Sequence, residues 1–311
     1  MELSALTIFR AVVRENGVTR AAAKLNRVQS NVTTRLRQLE ETLGTDLFIR
    51  DGRRLVLTPA GETLLPYAER LLALADEARN AVSEDRPRGR LRLGTMESTA
   101  ARRLPRVLAA YHQRWAEVEL ELAQGVTRGL IDSVRTFELD AALIARPIDA
   151  DALPPDQFDY APVFQEELVV ISPPGWRAAE AIGSNAGPTL VAFERGCAYR
   201  SYAMRWFELQ GIRPSRILEL GSYHPIIACV AAGAGVAVAP RSILELAHLD
   251  GQVEVHTIGD LGKIDTLLIW RKSQASAALR ALRDLLVREP QSDTTTTSAA
   301  TVYQLGAHSV L

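Results

Sequence analysis

VTRAAAKLNRVQSNVTTRLRQLEETLGTDLFIRDGRRLVLTPAGE, residues 18–62, decides the fold of the first part of the chain. Its middle is helical. From Gln29 or Ser30 to about Leu43, the apolar residues Val32, Leu36, Leu39 and Leu43 recur at helical spacing, and Gly44 supplies a stop. Before it, Thr19 can cap a short helix, Arg20 to Leu25, whose Ala21, Ala22 and Ala23 let another helix approach closely. Asn26-Arg27-Val28 makes the turn between the two. After it, Leu47 to Arg50 and Arg54 to Leu57 read as strands on either side of Asp51-Gly52, a hairpin signal. Upstream, Leu3, Leu6, Phe9, Val12 and Val13 form another apolar stripe that stops at Asn16-Gly17. Three helices and a hairpin predict a winged helix-turn-helix over residues 1–58.

The polar residues of this head suggest what it touches. The leading end and outer face of the third helix carry Gln29, Ser30, Asn31, Thr33, Thr34, Arg35 and Arg37. Amides, hydroxyls and guanidinium groups are the side chains that read base edges or hold phosphates. Arg50, Arg53 and Arg54 gather at the hairpin tip, where a wing meets flanking backbone or minor groove. The chain has a net charge of −1, yet residues 1–58 carry ten Lys/Arg against six Asp/Glu. A basic head on an acidic body points to a polyanion. Any one of these residues also suits a solvated helix face. Together, the short brace helix, tight turn, polar leading end and basic wing predict docking on double-stranded DNA.

Thr58-Pro59 opens a long helix, with Thr as cap and Pro at the first position. Leu64, Ala68, Leu71, Ala75, Ala78 and Val82 follow at alternating spacings of four and three, a heptad seam that predicts pairing with a second copy. The alternative is an amphipathic helix lying on its own domain. Pro66 sits inside and can bend it. Asp85-Arg86-Pro87-Arg88-Gly89 reads as a hinge, so residues 59–88 form a linker.

From Arg90 the pattern alternates between strands, such as Leu91–Thr95, Ala141–Ala145, Leu168–Ser172 and Thr266–Trp270, and helices, such as Ala100–Arg114, Arg128–Phe137 and Ala275–Val287. Such alternation predicts an α/β body with largely parallel strands. Residues 291–311, polar and rich in small residues, are expected to be a disordered tail. The chain is 47% hydrophobic but holds no apolar run long enough for a membrane span, and its start alternates apolar and charged residues, unlike a secretion signal. Cys197 and Cys229 stand alone, which suits a reducing cytoplasm. His112, His224, His248, His256 and His308 show no metal spacing, so neither a metal site, a cofactor nor a catalytic centre is expected.

Residues 18–62 resemble the N-terminal signature of LysR-type transcriptional regulators. Ala21-Ala22, Leu25, Gln29-Ser30, Leu39-Glu40, Leu43-Gly44, Leu47-Phe48, Arg50, Thr58 and Gly61 stand in family order, and the resemblance continues through all but the tail. Family members commonly carry Ser-Arg where this chain has Thr33-Thr34. The resemblance implies DNA contacts at Gln29, Thr33 and Arg53, then at Thr34 and Arg35. It also implies a dimer or tetramer acting on promoter DNA under control of a small-molecule effector, with RNA polymerase a further candidate partner.

The body it implies, residues 89–290, is two-lobed like a periplasmic binding protein. Lobe one covers 90–162 and 266–290, and lobe two 163–265. The effector is expected between them, beyond the strand ends. Thr95-Met96-Glu97-Ser98, Thr127, Cys197-Ala198-Tyr199 and Ser222-Tyr223-His224 all stand at strand-to-helix junctions, where free N–H groups favour anions. The family's ligand-facing positions match Ser98, Thr127 and Cys197–Tyr199. Arg146, ending the Ala141–Ala145 strand, can hold a carboxylate or form a surface salt bridge. Glu97 repels a carboxylate and favours an amine, so an amino-acid-like ligand would satisfy both signs. Ser98 and Thr127 also have a purely capping role open to them. The rival to a regulator is a solute-binding protein or small-molecule enzyme with an accessory head.

Overall fold

The computed structural model describes residues 1–51, 54–81, 86–176, 187–247 and 251–288. The chain divides into two compact units, one over Met1–Arg86 and one beginning at Pro87.

In the head, α1 (Leu3–Arg14), α2 (Val18–Lys24) and α3 (Gln29–Leu43) precede an antiparallel hairpin, β1 (Phe48–Asp51) and β2 (Arg54–Leu57). The breaks are where backbone chemistry demands them. Asn16 has φ 48° after α1, and the guanidinium of Arg20 binds the Glu15 and Asn16 carbonyls that the helix leaves open. Gly44 has φ 67° and caps α3 in the left-handed conformation. Ile8, Val12, Ala21, Ala22 and Val32 form one small core, and Leu6, Phe9, Leu36, Leu39 and Leu47 another. Leu43, expected on the apolar face of α3, is 38% exposed. The Glu40 carboxylate accepts from the N–H groups of Leu47 (2.9 Å) and Phe48 (3.3 Å), which fixes the entry into the wing.

Helix α4 (Pro59–Ala81) starts where its cap predicts. The Gly61 N–H donates to Thr58 Oγ1 at 3.0 Å, and the Thr58 hydroxyl donates to the Asp46 carbonyl at 2.7 Å. Gly61 is required: a Cβ there would stand 2.2 Å from the Leu47 carbonyl oxygen. The first turns of α4 cover the head, with Ala68 and Leu72 buried against it. Arg14 on α1 pairs with Glu69 at 3.0 Å.

The body is one seven-stranded sheet, a two-stranded sheet and packed helices. Strands β3 (Gly89–Thr95), β4 (Val118–Gln124) and β5 (Ala141–Ala145) are parallel and belong to lobe one, with α5 (Glu97–Arg102), α6 (Leu104–Arg114) and α7 (Thr127–Arg135) between them. The single helix expected over 100–114 is broken at Arg103, because Pro105 in the first turn of α6 cannot continue the α5 ladder. Lobe two holds β7 (Gly187–Ala192) and β8 (Pro214–Glu219), which are parallel, and α8 (Ala198–Leu209), α9 (Tyr223–Ala231), β9 (Ala237–Pro240), α10 (Arg241–Ala247) and β10 (Glu254–Thr257).

Two long strands join the lobes: β6 (Phe158–Ser172) and β11 (Lys263–Arg271). They pair antiparallel with each other, β11 also with β5, and β6 with β9 and β10. The sheet is therefore mixed rather than largely parallel. At the expected lobe boundaries, 162–163 and 265–266, the chain crosses as continuous strand. Pro162 hid this. It sits at a register shift, where Thr266 faces Phe164 and Leu267 faces Pro162, leaving Val163 as an extra residue. A bulge is where a strand tolerates Pro. Helix α11 (Ala277–Arg288) closes lobe one over Leu91, Leu93, Val107 and Trp270.

Candidate DNA-binding face and interlobe cleft

On α3 the structure separates two faces. Val32, Leu36 and Leu39 are buried, while Gln29, Ser30, Asn31, Thr33, Thr34, Arg35 and Arg37 are all exposed. Three apolar anchors bind the helix to the head and leave its polar residues to solvent on one exposed surface. Several are held in place. Thr19 donates to the Gln29 amide oxygen at 3.3 Å, and the Thr33 hydroxyl to the Gln29 carbonyl at 3.1 Å. Arg37 pairs with Glu41 at 3.1 Å and Arg35 with Glu2 at 3.5 Å. Both are solvent-facing pairs, worth little and readily exchanged for a phosphate. Arg50 is exposed on β1. Arg54 begins β2, and Arg53 lies outside the described residues. Arg27, exposed beside α3 and bonded to Asn31 (3.4 Å), was missed; its place in the turn before the helix is the signal.

The helix seam is divided. Leu64 and Ala68 pack onto the head, Ala75 is half-buried, and Leu71 and Ala78 are exposed. Val82 lies outside the described residues. The exposed apolar stripe runs through Tyr67, Leu71 and Leu74, two of which the heptad reading passed over.

In the body, the strand-to-helix junctions of both lobes converge on a cavity of about 420 Å³, within the range of small-molecule sites. Met96, Glu97, Ser98, Gln124 and Thr127 line it from lobe one, and Phe193, Glu194, Cys197, Tyr199, Ser222 and Tyr223 from lobe two. Glu97 crosses it. Its carboxylate accepts from the Ser222 hydroxyl at 2.9 Å and from the Tyr223 N–H at 3.3 Å, on the first turn of α9. A second link runs from the Arg128 N–H, on α7, to the Gly196 carbonyl at 3.0 Å. Thr127 donates weakly to the Met96 sulfur.

Of the effector candidates, Glu97, Ser98, Thr127, Cys197, Tyr199 and Tyr223 line the cavity; Thr95, Ala198 and Arg146 do not. Thr95 is buried and donates to the Met96 carbonyl. Arg146 is engaged elsewhere, paired with Asp265 at 2.9 Å and over the Tyr160 ring. Phe193 and Glu194 were missed, although they stand at the same strand-to-helix junction as Cys197. Burial pushes the Cys197 thiol and the Tyr199 and Tyr223 phenols upward, so all three stay neutral at physiological pH. A buried protonated thiol is a poor nucleophile. Among the described residues no His/Cys/Asp/Glu group suits a metal, and no helix is long and apolar enough to cross a membrane.

A winged helix-turn-helix joined to a two-lobed body with a cleft defines a ligand-responsive DNA-binding regulator. Comparison with known proteins agrees. The description "Bacterial regulatory helix-turn-helix protein, lysR family" matches residues 3–62, and "LysR substrate binding domain" matches residues 84–291. The chain is 36% identical to the HTH-type transcriptional regulator GltR of Bacillus subtilis over 91% of its own length and 97% of that protein. Its fold resembles a full-length OxyR variant from Pseudomonas aeruginosa, with TM-score 0.69, 26% identity and coverage of 92% and 94%. It also resembles full-length CbnR complexed with its target DNA, with TM-score 0.62, 22% identity and coverage of 93% and 99%. The chain belongs to the LysR family of bacterial transcriptional regulators, which bind DNA through the head and an effector through the body, and are not enzymes.

Proposed function

We propose that this protein acts as a dimer or dimer of dimers that lays α3 in the major groove of promoter DNA and adjusts its grip when a small molecule occupies the interlobe cleft. One observation carries the reading: the polar side chains from Gln29 to Arg37 stand exposed on α3 while Val32, Leu36 and Leu39 anchor it. Gln29 and Thr33 read bases, with Ser30, Asn31 and Thr34 beside them, and Arg35, Arg37, Arg50, Arg53 and Arg54 hold phosphates. The exposed stripe Tyr67, Leu71 and Leu74 pairs the protomers. The cleft spans two lobes, so a ligand that prefers one lobe arrangement shifts the population of states and with it the spacing of the heads. The protein works in the cytoplasm, where its DNA lies, and RNA polymerase is its further partner.

Gel-shift titrations on operator and scrambled DNA test the contacts. Arg53→Ala should weaken binding to both and flatten the salt dependence, because a phosphate contact releases counterions. Gln29→Ala should lose preference at one base position, at a cost of about 1–3 kcal/mol for a bidentate contact. Unchanged binding by both variants would sink the assignment.

A further inference from the structure

The charge and open donors of the cleft select a class of ligand; this step rests on the cleft being the effector site. Glu97 and Glu194 are the carboxylates among its lining residues, one from each lobe, and among the described residues no Lys, Arg or His lines it. Arg128 and Arg195, which flank Thr127 and Glu194, are exposed and do not line the cavity, and two further cations are committed. Arg146 is paired with Asp265 outside the cavity, and Arg200 binds the Phe193 carbonyl and Glu219. One of the helix ends at the cleft, the start of α9 in lobe two, is occupied, since the Ser222 hydroxyl and Tyr223 N–H already donate to Glu97. A carboxylate ligand would have to enter beside two like charges, and would reach the α9 end only by displacing Glu97.

The remaining walls favour the opposite sign. Phe193 and Tyr223 form an edge-to-face pair at 4.8 Å, and aromatic faces attract cations. Tyr199 is 3% exposed, and its hydroxyl has no hydrogen-bond partner. Ser98 lies close enough to favour the phenolate, yet no hydrogen bond of normal geometry joins them. A buried polar group with no partner is costly, and a ligand atom that meets it recovers that cost.

We propose that the effector is a small organic ammonium compound, its charge held between Glu97 of lobe one and Glu194 of lobe two beside the Phe193–Tyr223 pair, with a polar group meeting the Tyr199 hydroxyl. Because the two carboxylates belong to different lobes, the cation offsets their repulsion and draws the lobes together. The sequence alone left room for an amino-acid-like ligand; with Arg146 outside the cavity, no lining cation among the described residues is left for its carboxylate.

The test uses the full chain and defined probes. Phenethylamine, putrescine and choline are compared with phenylacetate and succinate, up to about 10 mM, by thermal shift and calorimetric titration. At least one ammonium probe should raise the melting temperature, and the carboxylates should not. Glu194→Gln, a change at the exposed mouth, should weaken that probe about 10-fold or more, and Tyr199→Phe should weaken probes that carry a second polar group more than those that do not. Stabilisation by the carboxylates alone, no shift with any ammonium probe, or undiminished binding to Glu194→Gln would overturn the proposal. Gel shifts on the same preparations separate the two readings: operator binding without ammonium binding refutes this inference alone, whereas ammonium binding without sequence-specific DNA binding refutes the regulator's DNA contacts.

Discussion

Glu166 offers the sharpest energetic test of how the two lobes are held. It lies on crossing strand β6, 4% exposed, with its carboxylate shared between Arg103 Nε and the Ser242 hydroxyl, each at 2.8 Å. Arg103 sits at the break between α5 and α6 in lobe one, and Ser242 is in the first turn of α10 in lobe two. Removing one partner of a buried ion pair costs about 3–5 kcal/mol, because the other charge is left in a poor solvent. Ser242 losing its acceptor adds about 1 kcal/mol. Arg103 retains the Gln165 carbonyl at 3.2 Å and the face of Phe164, and its side chain is 13% exposed, which offsets part of the loss. We therefore expect Glu166→Ala to cost about 3 kcal/mol, and Glu166→Gln, which keeps an acceptor and the volume, about half that. All four tryptophans, Trp115, Trp176, Trp206 and Trp270, lie in the body, so their fluorescence follows its unfolding. With a urea slope of about 3 kcal/mol/M, the alanine variant should unfold about 1 M earlier. Midpoints within about 0.2 M of the parent for both variants, or a larger loss for Gln than for Ala, would refute the argument.

Two further variants probe the linker helix. Leu74→Glu places a charge on the exposed stripe and should dissociate the dimer in sedimentation while leaving head stability nearly unchanged; Ala68→Glu buries a charge in the head core and should unfold it, with loss of helical circular dichroism. A pH effect follows from His256, which bonds to buried Ser172 at 2.8 Å and packs against Trp176. Burial lowers its pKa against the opposing pull of Glu254, so the unfolded chain binds the proton more readily. Its contribution is fully present above the ordinary imidazole value of 6.5 and is lost as the pH falls through the lower folded value. His256→Gln should reduce the slope of melting temperature against pH in that window, and an identical slope would count against the assignment.

The head was readable because its signals are local. The Thr58-Pro59 cap, the Gly44 stop and the spacing of Val32, Leu36 and Leu39 each act within a few residues, and the structure uses all three. The body was readable as alternating strands and helices, but not its joints. Strand β6 pairs with β11 about a hundred residues away, and only its second part, Leu168–Ser172, was read as a strand because Pro162 at the bulge interrupts the pattern. Arg146 shows the same limit. Its residue type suits an anion, but Asp265 determines where it points, and that partner is 119 positions distant. Glu97 was found by its junction, yet its bond to Ser222 depends on how two lobes close. The seam of α4 was ambiguous for another reason: one helical stripe must serve both the protomer's own core and a partner, and sequence spacing does not divide Ala68 from Leu71.

The head's central task is to read DNA sequence. The direct measurement is the affinity of the full chain for a fragment it has selected from a random pool, against a scrambled fragment of equal composition, from about 50 to 200 mM salt. We predict that the selected fragment binds about 10³-fold or more tightly at physiological salt, while both affinities fall linearly on a log–log plot against salt. Equal affinity for the two fragments, within about threefold at every salt concentration, would contradict it.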